Sequence, residues 1–318
     1  MNVLKDVAIG LAMVLLTTSG IWAQKKDDKE LMKSGRPVLW EQANVAGRDL
    51  FLGPGGEEMK PDLSKVVLVE EQKGGYSTKY KIRDAAGRTW VAKIGNEAQS
   101  ETAAVRLLWA LGYKTEINYL VPEITIPGKG TFQNVRLEAR PDDVKRLDQW
   151  QWNDNPFKGT HELQGLKIMM AFLNNWDMKN ANNVVLKKGD ELQYVISDLG
   201  VSFGKTGSNG MTIFWRIGRS RNEPDEYAES EFIKELKNGK IKFEFNGKGM
   251  ELLKNITVED GRWLASLLTQ LSDKQIEDAF RAAGYPDSDA MLLTQSVKSR
   301  IHALDLATRG SFEDQPAA

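Results

Sequence analysis

The stretch NNWDMKNANNVVL, from Asn174 to Leu186, follows its opening Asn174-Asn175 with one aspartate (Asp177), one lysine (Lys179) and three further asparagines (Asn180, Asn182 and Asn183) in a single short junction. Carboxylate and amide oxygens are hard donors that suit Mg²⁺-like cations, and an ammonium group pairs with phosphate as a point charge. Metal or phosphate chemistry is therefore the first expectation for this loop. Two more places carry comparable side chains. Downstream, Asp198 precedes Leu199-Gly200; upstream, Lys93 lies in VAKI (91–94), with Glu101 eight residues further on.

These side chains need elements to hold them. KVVLVEE (65–71) is an apolar, β-branched run, YSTKYKIRD (76–84) alternates, and Asp84-Ala-Ala-Gly87 is a hairpin turn leading into the strand RTWVAKIG (88–95). SETAAVRLLWALGY (100–113) is helical, with Ser100 as the expected cap and Ala104, Leu107, Leu108 and Leu111 on one face. YLVPEITIP (119–127) and NVRLEAR (134–140) supply two more strands around a GKG turn. After Pro141, THELQGLKIMMAFLNN (160–175) is a buried helix, and NVVLKKGDELQYVISD (183–198) is a hairpin around Gly189. The pattern predicts further helices at 226–237, 257–271, 272–283 and 288–306, with Ser272 and Gln275 forming a capping box. A small β-rich lobe thus precedes a larger helical one.

This order, with these residues on it, resembles the protein-kinase-like superfamily. In the family's catalytic loop an aspartate is followed by lysine two residues later and asparagine five later; Asp177, Lys179 and Asn182 match both spacings. Asp198-Leu199-Gly200 resembles the D-F-G metal motif, and VAKI resembles V-A-I-K of the third strand. D-x-K-x-x-N alone arises by chance in ~4% of chains of this length, but adding D-[LF]-G in the right window lowers that to on the order of 10⁻⁴. The ordering carries the resemblance more than any single motif. It covers approximately 65–200.

The resemblance implies an α+β, bilobal fold: an N-terminal extension (24–64), an N-lobe of antiparallel strands with one helix (65–140) and a mainly helical C-lobe (141–318). It implies ATP and Mg²⁺ as cofactors, with Mn²⁺ as the alternative metal. Lys93 would grip the α/β-phosphates and pair with Glu101, with Glu97 a rival partner. Asp198 and Asn182 would hold metal, with Asn183 a substitute for Asn182. Asp177 would orient and finally deprotonate an acceptor hydroxyl, and Lys179 would offset charge on the transferring group. Gly74-Gly75 would cradle phosphate, or be a plain hairpin turn.

Four departures mark the chain off from ordinary Ser/Thr kinases. KGGYSTKY (73–80) lacks G-x-G-x-x-G, and Asn175-Trp176 stands where His-Arg is usual. Glu223-Pro224-Asp225 is the nearest echo of A-P-E, and Lys93 and Glu101 are only eight residues apart. The chain looks more like atypical relatives: HipA-type, phosphoinositide-kinase-like and secretory-pathway kinases. Trp176 is expected to pack in the core, His161 and His302 to be bland, and FWRIGRSR (214–221) to be either an anion-binding segment or a solvated loop.

Composition narrows the classes. The chain has 318 residues, 43 basic against 44 acidic, for a net charge of −1, which argues against nucleic acid as a partner. It has no cysteine and two histidines, which excludes disulfides, thiolate zinc sites and a cysteine nucleophile and leaves a histidine triad improbable. Residues 1–23 read as a signal peptide, with an uncharged run from Val7 to Trp22 and a cut after Ala23. The run is short for a span of ~20 residues; the alternative is a membrane anchor at 7–22. The expectation is an exported, periplasmic or secreted bacterial phosphotransferase without a stable membrane span after cleavage, acting on a hydroxyl of unidentified protein, lipid or small molecule. Its rival is a catalytically inactive kinase-fold binding or scaffold protein.

Overall fold

The first strand is β1 (Arg36–Val38); β2 (Val67–Gln72), β3 (Thr78–Arg83) and β4 (Thr89–Ile94) follow, then helix α1 (Glu97–Ala110), β5 (Asn118–Ile126), β6 (Gly130–Ala139) and β7 (Val144–Arg146). The computed structural model describes residues 28, 30–72, 77–207 and 219–309. The expected leader (1–23), Gly74-Gly75 and Phe214 to Gly218 of the basic segment lie outside the described residues.

Strands β2 to β6 form one antiparallel sheet in the order β2-β3-β4-β6-β5. Strand alternation sorts its faces. Ile82, Trp90, Ala92, Val135 and Leu137 point into an apolar cluster that Met59, Leu63 and Val66 of the preceding segment close over. The opposite face carries charge, because Lys93 pairs in register with Arg136, and Val91 with Glu138. The turn between β3 and β4 forms where DAAG predicts it. Gly87 takes φ +82°, and the Asp84 carboxylate accepts from Arg88 N (2.8 Å) and Trp90 Nε1 (3.0 Å).

Helix α1 starts at Glu97, three residues before the expected cap, and Asn96 occupies the cap position without a side-chain bond. Ser100 lies inside the helix instead. Its Oγ donates to the carbonyls of Glu97 (3.2 Å) and Gly200 (2.7 Å), tying the helix to the Asp198 segment.

The C-terminal part is built on α2 (His161–Phe172), β8 (Asn183–Lys188), β9 (Glu191–Ile196), α3 (Pro224–Glu229), β10 (Ile233–Lys237), β11 (Lys240–Phe243), α4 (Val258–Leu268), α5 (Asp273–Ala282) and α6 (Asp287–Arg309). Its apolar residues join those of α1 and of the N-terminal segment in the larger core cluster. The Ser272–Gln275 capping box forms as expected. The expected helix over 226–237 does not: α3 ends at Glu229 and a hairpin follows, with its turn at Asn238 (φ +52°) and Gly239 (φ +68°). Asn-Gly between alternating residues is a strong signal for a two-residue turn, and here it overrides the helix-favouring Glu and Lys around it.

Residues 36–50 are stitched to both halves of the molecule. Strand β1 adds in parallel to β9, completing a sheet β1-β9-β8-β7. Trp40 Nε1 donates to Leu111 O (2.6 Å), and Gln275 Nε2 to the carbonyls of Val45 (2.8 Å) and Arg48 (2.9 Å). The buried anchors are Val38, Leu39, Val45 and Leu50, whereas Pro37 and Phe51 are exposed. Among the described residues, no helix is long and apolar enough to cross a membrane.

Candidate active site

The loop bearing Asp177 is set by the end of α2. Asn174 takes φ +53°, a conformation Asn tolerates, and Asn175 N closes back on Met170 O (2.8 Å). Buried Arg300 of α6 clamps this corner, donating to Phe172 O (2.9 Å) and Asn174 Oδ1 (3.0 Å). The chain then turns so that Asp177 faces Lys179 (Oδ2 to Nζ, 2.6 Å) and Asn182, whose Nδ2 donates to Asp177 O (2.8 Å).

A second lysine completes the contact: Lys248 Nζ lies 2.9 Å from Asp177 Oδ1. It comes from a loop whose Gly247 passes close over Trp176; a Cβ there would meet Trp176 O at 2.7 Å. Burial pushes the Asp177 carboxyl up, but the bonds from Lys179 and Lys248 outweigh it and hold it below the usual carboxylate range. Nothing in the sequence around Lys248 marks it as a partner of Asp177.

Lys93 is the hub of the other half. Its Nζ lies 2.8 Å from Glu101 Oε2, 2.8 Å from Glu97 Oε2 and 3.3 Å from Asp198 Oδ1. Both expected partners, Glu101 and Glu97, are therefore present at once. Burial lowers the Lys93 pKa, but Glu101, Asp198 and Glu97 more than reverse this, so the ammonium stays charged well past its ordinary range. Gly200 allows the approach of the Asp198 segment to α1; a Cβ there would sit 2.6 Å from Glu97 Cβ.

The ion pairs continue beyond what spacing suggested. Arg136 Nη1 meets Glu101 Oε1 (2.6 Å), and its Nη2 meets Glu138 Oε2 (2.7 Å). Glu138 also pairs with Arg140, and Glu116 with Arg146. The alternation in NVRLEAR carried the signal: Val135, Leu137 and Ala139 face one core, leaving Arg136 and Glu138 on the other side of the strand. What the sequence lacks is that this side is also buried.

Lys93, Glu101, Asn182 and Asp198 line one cavity of about 180 Å³, together with Lys79, Val91, Arg136, Glu138, Arg140 and Arg146. Asp177 and Lys179 adjoin it through Asn182. Asn183 faces away: its Nδ2 donates to Trp150 O (3.1 Å), so it is a structural residue of the hairpin. Asn180 accepts from Trp152 N (3.2 Å) in a turn role. Trp176 packs at the edge of the core, as expected, and Arg219 and Arg221 also sit over its ring at 5.7 and 5.5 Å.

The donor set fits a hard divalent cation. Asn182 Nδ2 is engaged by Asp177, which leaves Oδ1 as its oxygen donor. Asp198 Oδ1 accepts from Lys93 (3.3 Å) and Gly200 N (3.3 Å), which leaves Oδ2. Among the described residues no group of three or more His, Asp or Glu is set to hold a metal. One carboxylate with a neutral oxygen matches cations that complete their shell with phosphates and water.

No family model matches the chain, and no curated protein matches it. Solved structures do. A proinflammatory kinase from Helicobacter pylori, CtkA, aligns over 80% of this chain and 99% of its own, with TM-score 0.50 and 12% identity. A Golgi casein kinase aligns over 96% of this chain and 92% of its own (TM-score 0.39, 10% identity). A structure of the Golgi casein kinase with Mn/ADP bound aligns over 80% and 75% (TM-score 0.38, 9% identity). With its antiparallel N-terminal sheet, buried α1 and mainly helical C-terminal part, the chain has the bilobal protein-kinase-like fold of the atypical kind.

Proposed function

We propose that the chain is an ATP- and divalent-metal-dependent phosphotransferase that moves the γ-phosphoryl group to a hydroxyl acceptor. One observation carries the reading. Lys93 meets Glu101 (2.8 Å) and, 105 residues downstream, Asp198 (3.3 Å), in the cavity that Asn182 also lines.

In this reading each residue has a defined task. Lys93, kept charged by Glu101 and Glu97, holds the α/β-phosphates. Asp198 and Asn182 would hold Mg²⁺, or Mn²⁺, which would supply neutralisation of charge on the phosphate oxygens. Asp177 orients the acceptor hydroxyl. Its low basicity suits orientation with late proton uptake, because phosphoryl transfer depends on positioning and charge stabilisation more than on a strong base. The acceptor oxygen bonds to phosphorus, the bond to the β-phosphate oxygen breaks, and the hydroxyl proton passes to Asp177. Lys179 offsets the charge on the moving group. For this the acceptor must take the place of one lysine at Asp177. Gly74-Gly75 would be the phosphate cradle, with a plain hairpin turn as the alternative. The leader-like residues 1–23 support export, with an anchor at 7–22 as the alternative.

A second reading, a kinase-fold binding protein without turnover, draws on the lining of the cavity. Val91 and Ala181 are its apolar members, and most of its charges are already paired. A purine ring would bury little apolar surface against it. Transfer of labelled phosphate from ATP, to water or to added acceptors, separates the two. Turnover that falls by about 10²–10⁴ in Asp177→Asn supports the transferase. No turnover above background, or equal turnover in Asp177→Asn, overturns it in favour of the binding protein.

A further inference from the structure

A second cavity, of about 300 Å³, is larger than the cleft. That size is at the lower end of ordinary small-molecule sites. The N-terminal segment, the turn after α1, β7 and the β8–β9 hairpin wall it. Trp109, Ile117, Val144 and Leu186 give it an apolar side. Five basic side chains line it (Arg48, Lys114, Arg140, Arg146 and Lys188), against two acidic ones, Glu41 and Glu116.

Three of the five have close carboxylate partners: Lys114 has Glu41 (2.8 Å) and Glu191 (3.2 Å), Arg140 has Glu138 and Arg146 has Glu116; Arg48 and Lys188 are less closely matched. Arg48 sits over the Trp109 ring, its Cζ 4.3 Å from the ring centroid, and donates to the Trp109 carbonyl. Among the described residues no carboxylate forms an ion pair with it, and burial alone lowers its pKa. Lys188 is exposed and has Asp143 at 3.8 Å. Thr115 Oγ1, also in the wall, is buried with no hydrogen-bond partner among the described residues. Buried polar groups and charges are costly unless paired. Arg48 therefore lacks a paired negative charge and Thr115 Oγ1 a partner, beside the apolar side of the cavity.

We propose that this cavity is a second ligand site, for a small organic anion with a flat apolar body, its carboxylate, sulfonate or phosphate group facing Arg48 and Lys188 and its body against the Trp109 side. The site is separate from the phosphotransfer reading and does not need it. It does share walls with the cleft: Arg140 and Arg146 line both cavities, and Arg146 Nη2 donates to Ser197 Oγ (2.9 Å), next to Asp198.

The test is a fluorescence titration of the full chain with 8-anilinonaphthalene-1-sulfonate, paired with the neutral dye N-phenyl-1-naphthylamine. At ordinary ligand efficiency the sulfonate binds with a dissociation constant on the order of 10⁻⁵ M. Arg48→Ala and Lys188→Ala each weaken it by about tenfold, as expected for a lost charge-assisted bond. Val144→Trp, which fills the cavity, removes the saturable phase, and the neutral dye binds more weakly than the sulfonate. Lys188 is exposed, so Lys188→Ala keeps the test valid even where Arg48→Ala fails to fold. Sulfonate affinity unchanged in Lys188→Ala and Val144→Trp, equal binding of the neutral dye, or no saturable binding to the wild-type chain overturns the proposal.

Discussion

Glu101→Gln separates a buried ionic hub from a screened one. The Glu101 side chain is 1% exposed and bridges two buried cations, Lys93 at 2.8 Å and Arg136 at 2.6 Å. Glutamine keeps the volume but offers one acceptor oxygen where two are used, and its amide hydrogens face the donors of a cation. Removing one partner from a buried pair costs about 3–5 kcal/mol. Here each cation keeps another carboxylate: Lys93 has Glu97 at 2.8 Å, and Arg136 has Glu138 at 2.7 Å. The effect therefore belongs at the lower end, about 3 kcal/mol. For a slope of ~3 kcal/mol per molar urea the unfolding midpoint falls by ~1 M. The assay is urea unfolding followed by tryptophan fluorescence. Glu123→Gln, at an exposed carboxylate that accepts from Gln133 (2.6 Å), is the surface control and should shift by no more than ~0.5 kcal/mol. In a cycle with Lys93→Met, the double variant should cost less than the sum by roughly 1–3 kcal/mol, since the second change removes a charge the first left unpaired. A Glu101→Gln midpoint as close to wild type as that of the control would refute the reasoning.

Two further outcomes follow from the geometry. Lys248→Met removes one of the two lysines that hold Asp177 below the usual carboxylate range, so the Asp177 pKa should rise and the acid limb of the transfer rate should move to higher pH. The sign for stability agrees: a depressed carboxylate stabilises the fold above its unfolded pKa of ~3.9 and loses that share as pH falls through its folded value; an unmoved acid limb would exclude Lys248 from the site. Gly165→Ala sets helix propensity against packing, because alanine is favoured by about 1 kcal/mol inside a helix, yet the new Cβ would sit 2.7 Å from Tyr113 Oη and closer still to the Trp263 ring. Overpacking should win, for a net loss of about 1–2 kcal/mol in thermal or urea unfolding, and a stabilised variant would contradict the packing of α2 against α4.

What the sequence made legible was local or strongly ordered. VAKI on an alternating strand and a glutamate in the next helix announce the Lys93–Glu101 pair. The spacing of Asp177, Lys179 and Asn182 marks one loop as a site candidate, and in the structure Asn182 Nδ2 donates to the Asp177 carbonyl (2.8 Å). The partners that stayed hidden arrive through register and long closure. Arg136 reaches Glu101 because β6 pairs with β4 so that Arg136 is opposite Lys93. Lys248 reaches Asp177 across a loop closure, and no local pattern encodes it. Strands of three residues, such as β1 and β7, are too short to display a period. The hairpin at 233–243 did carry its signal, Asn238-Gly239, but its charged strands read as helix. Ser100 shows the reverse: a good cap residue by type, it lies in the helix interior and bonds to Gly200 O.

The central claim is that the cleft around Lys93, Asn182 and Asp198 binds a metal–nucleotide complex. Thermal unfolding of the purified chain with and without Mg²⁺-ATP, alongside Asp198→Ala, tests it most directly. At a hundredfold excess over the dissociation constant, binding should stabilise the native chain by about 2.7 kcal/mol, a rise of ~5 °C or more. The account predicts that this rise needs the metal and is lost in Asp198→Ala. An absent rise at millimolar nucleotide, or one that persists in Asp198→Ala, would contradict it.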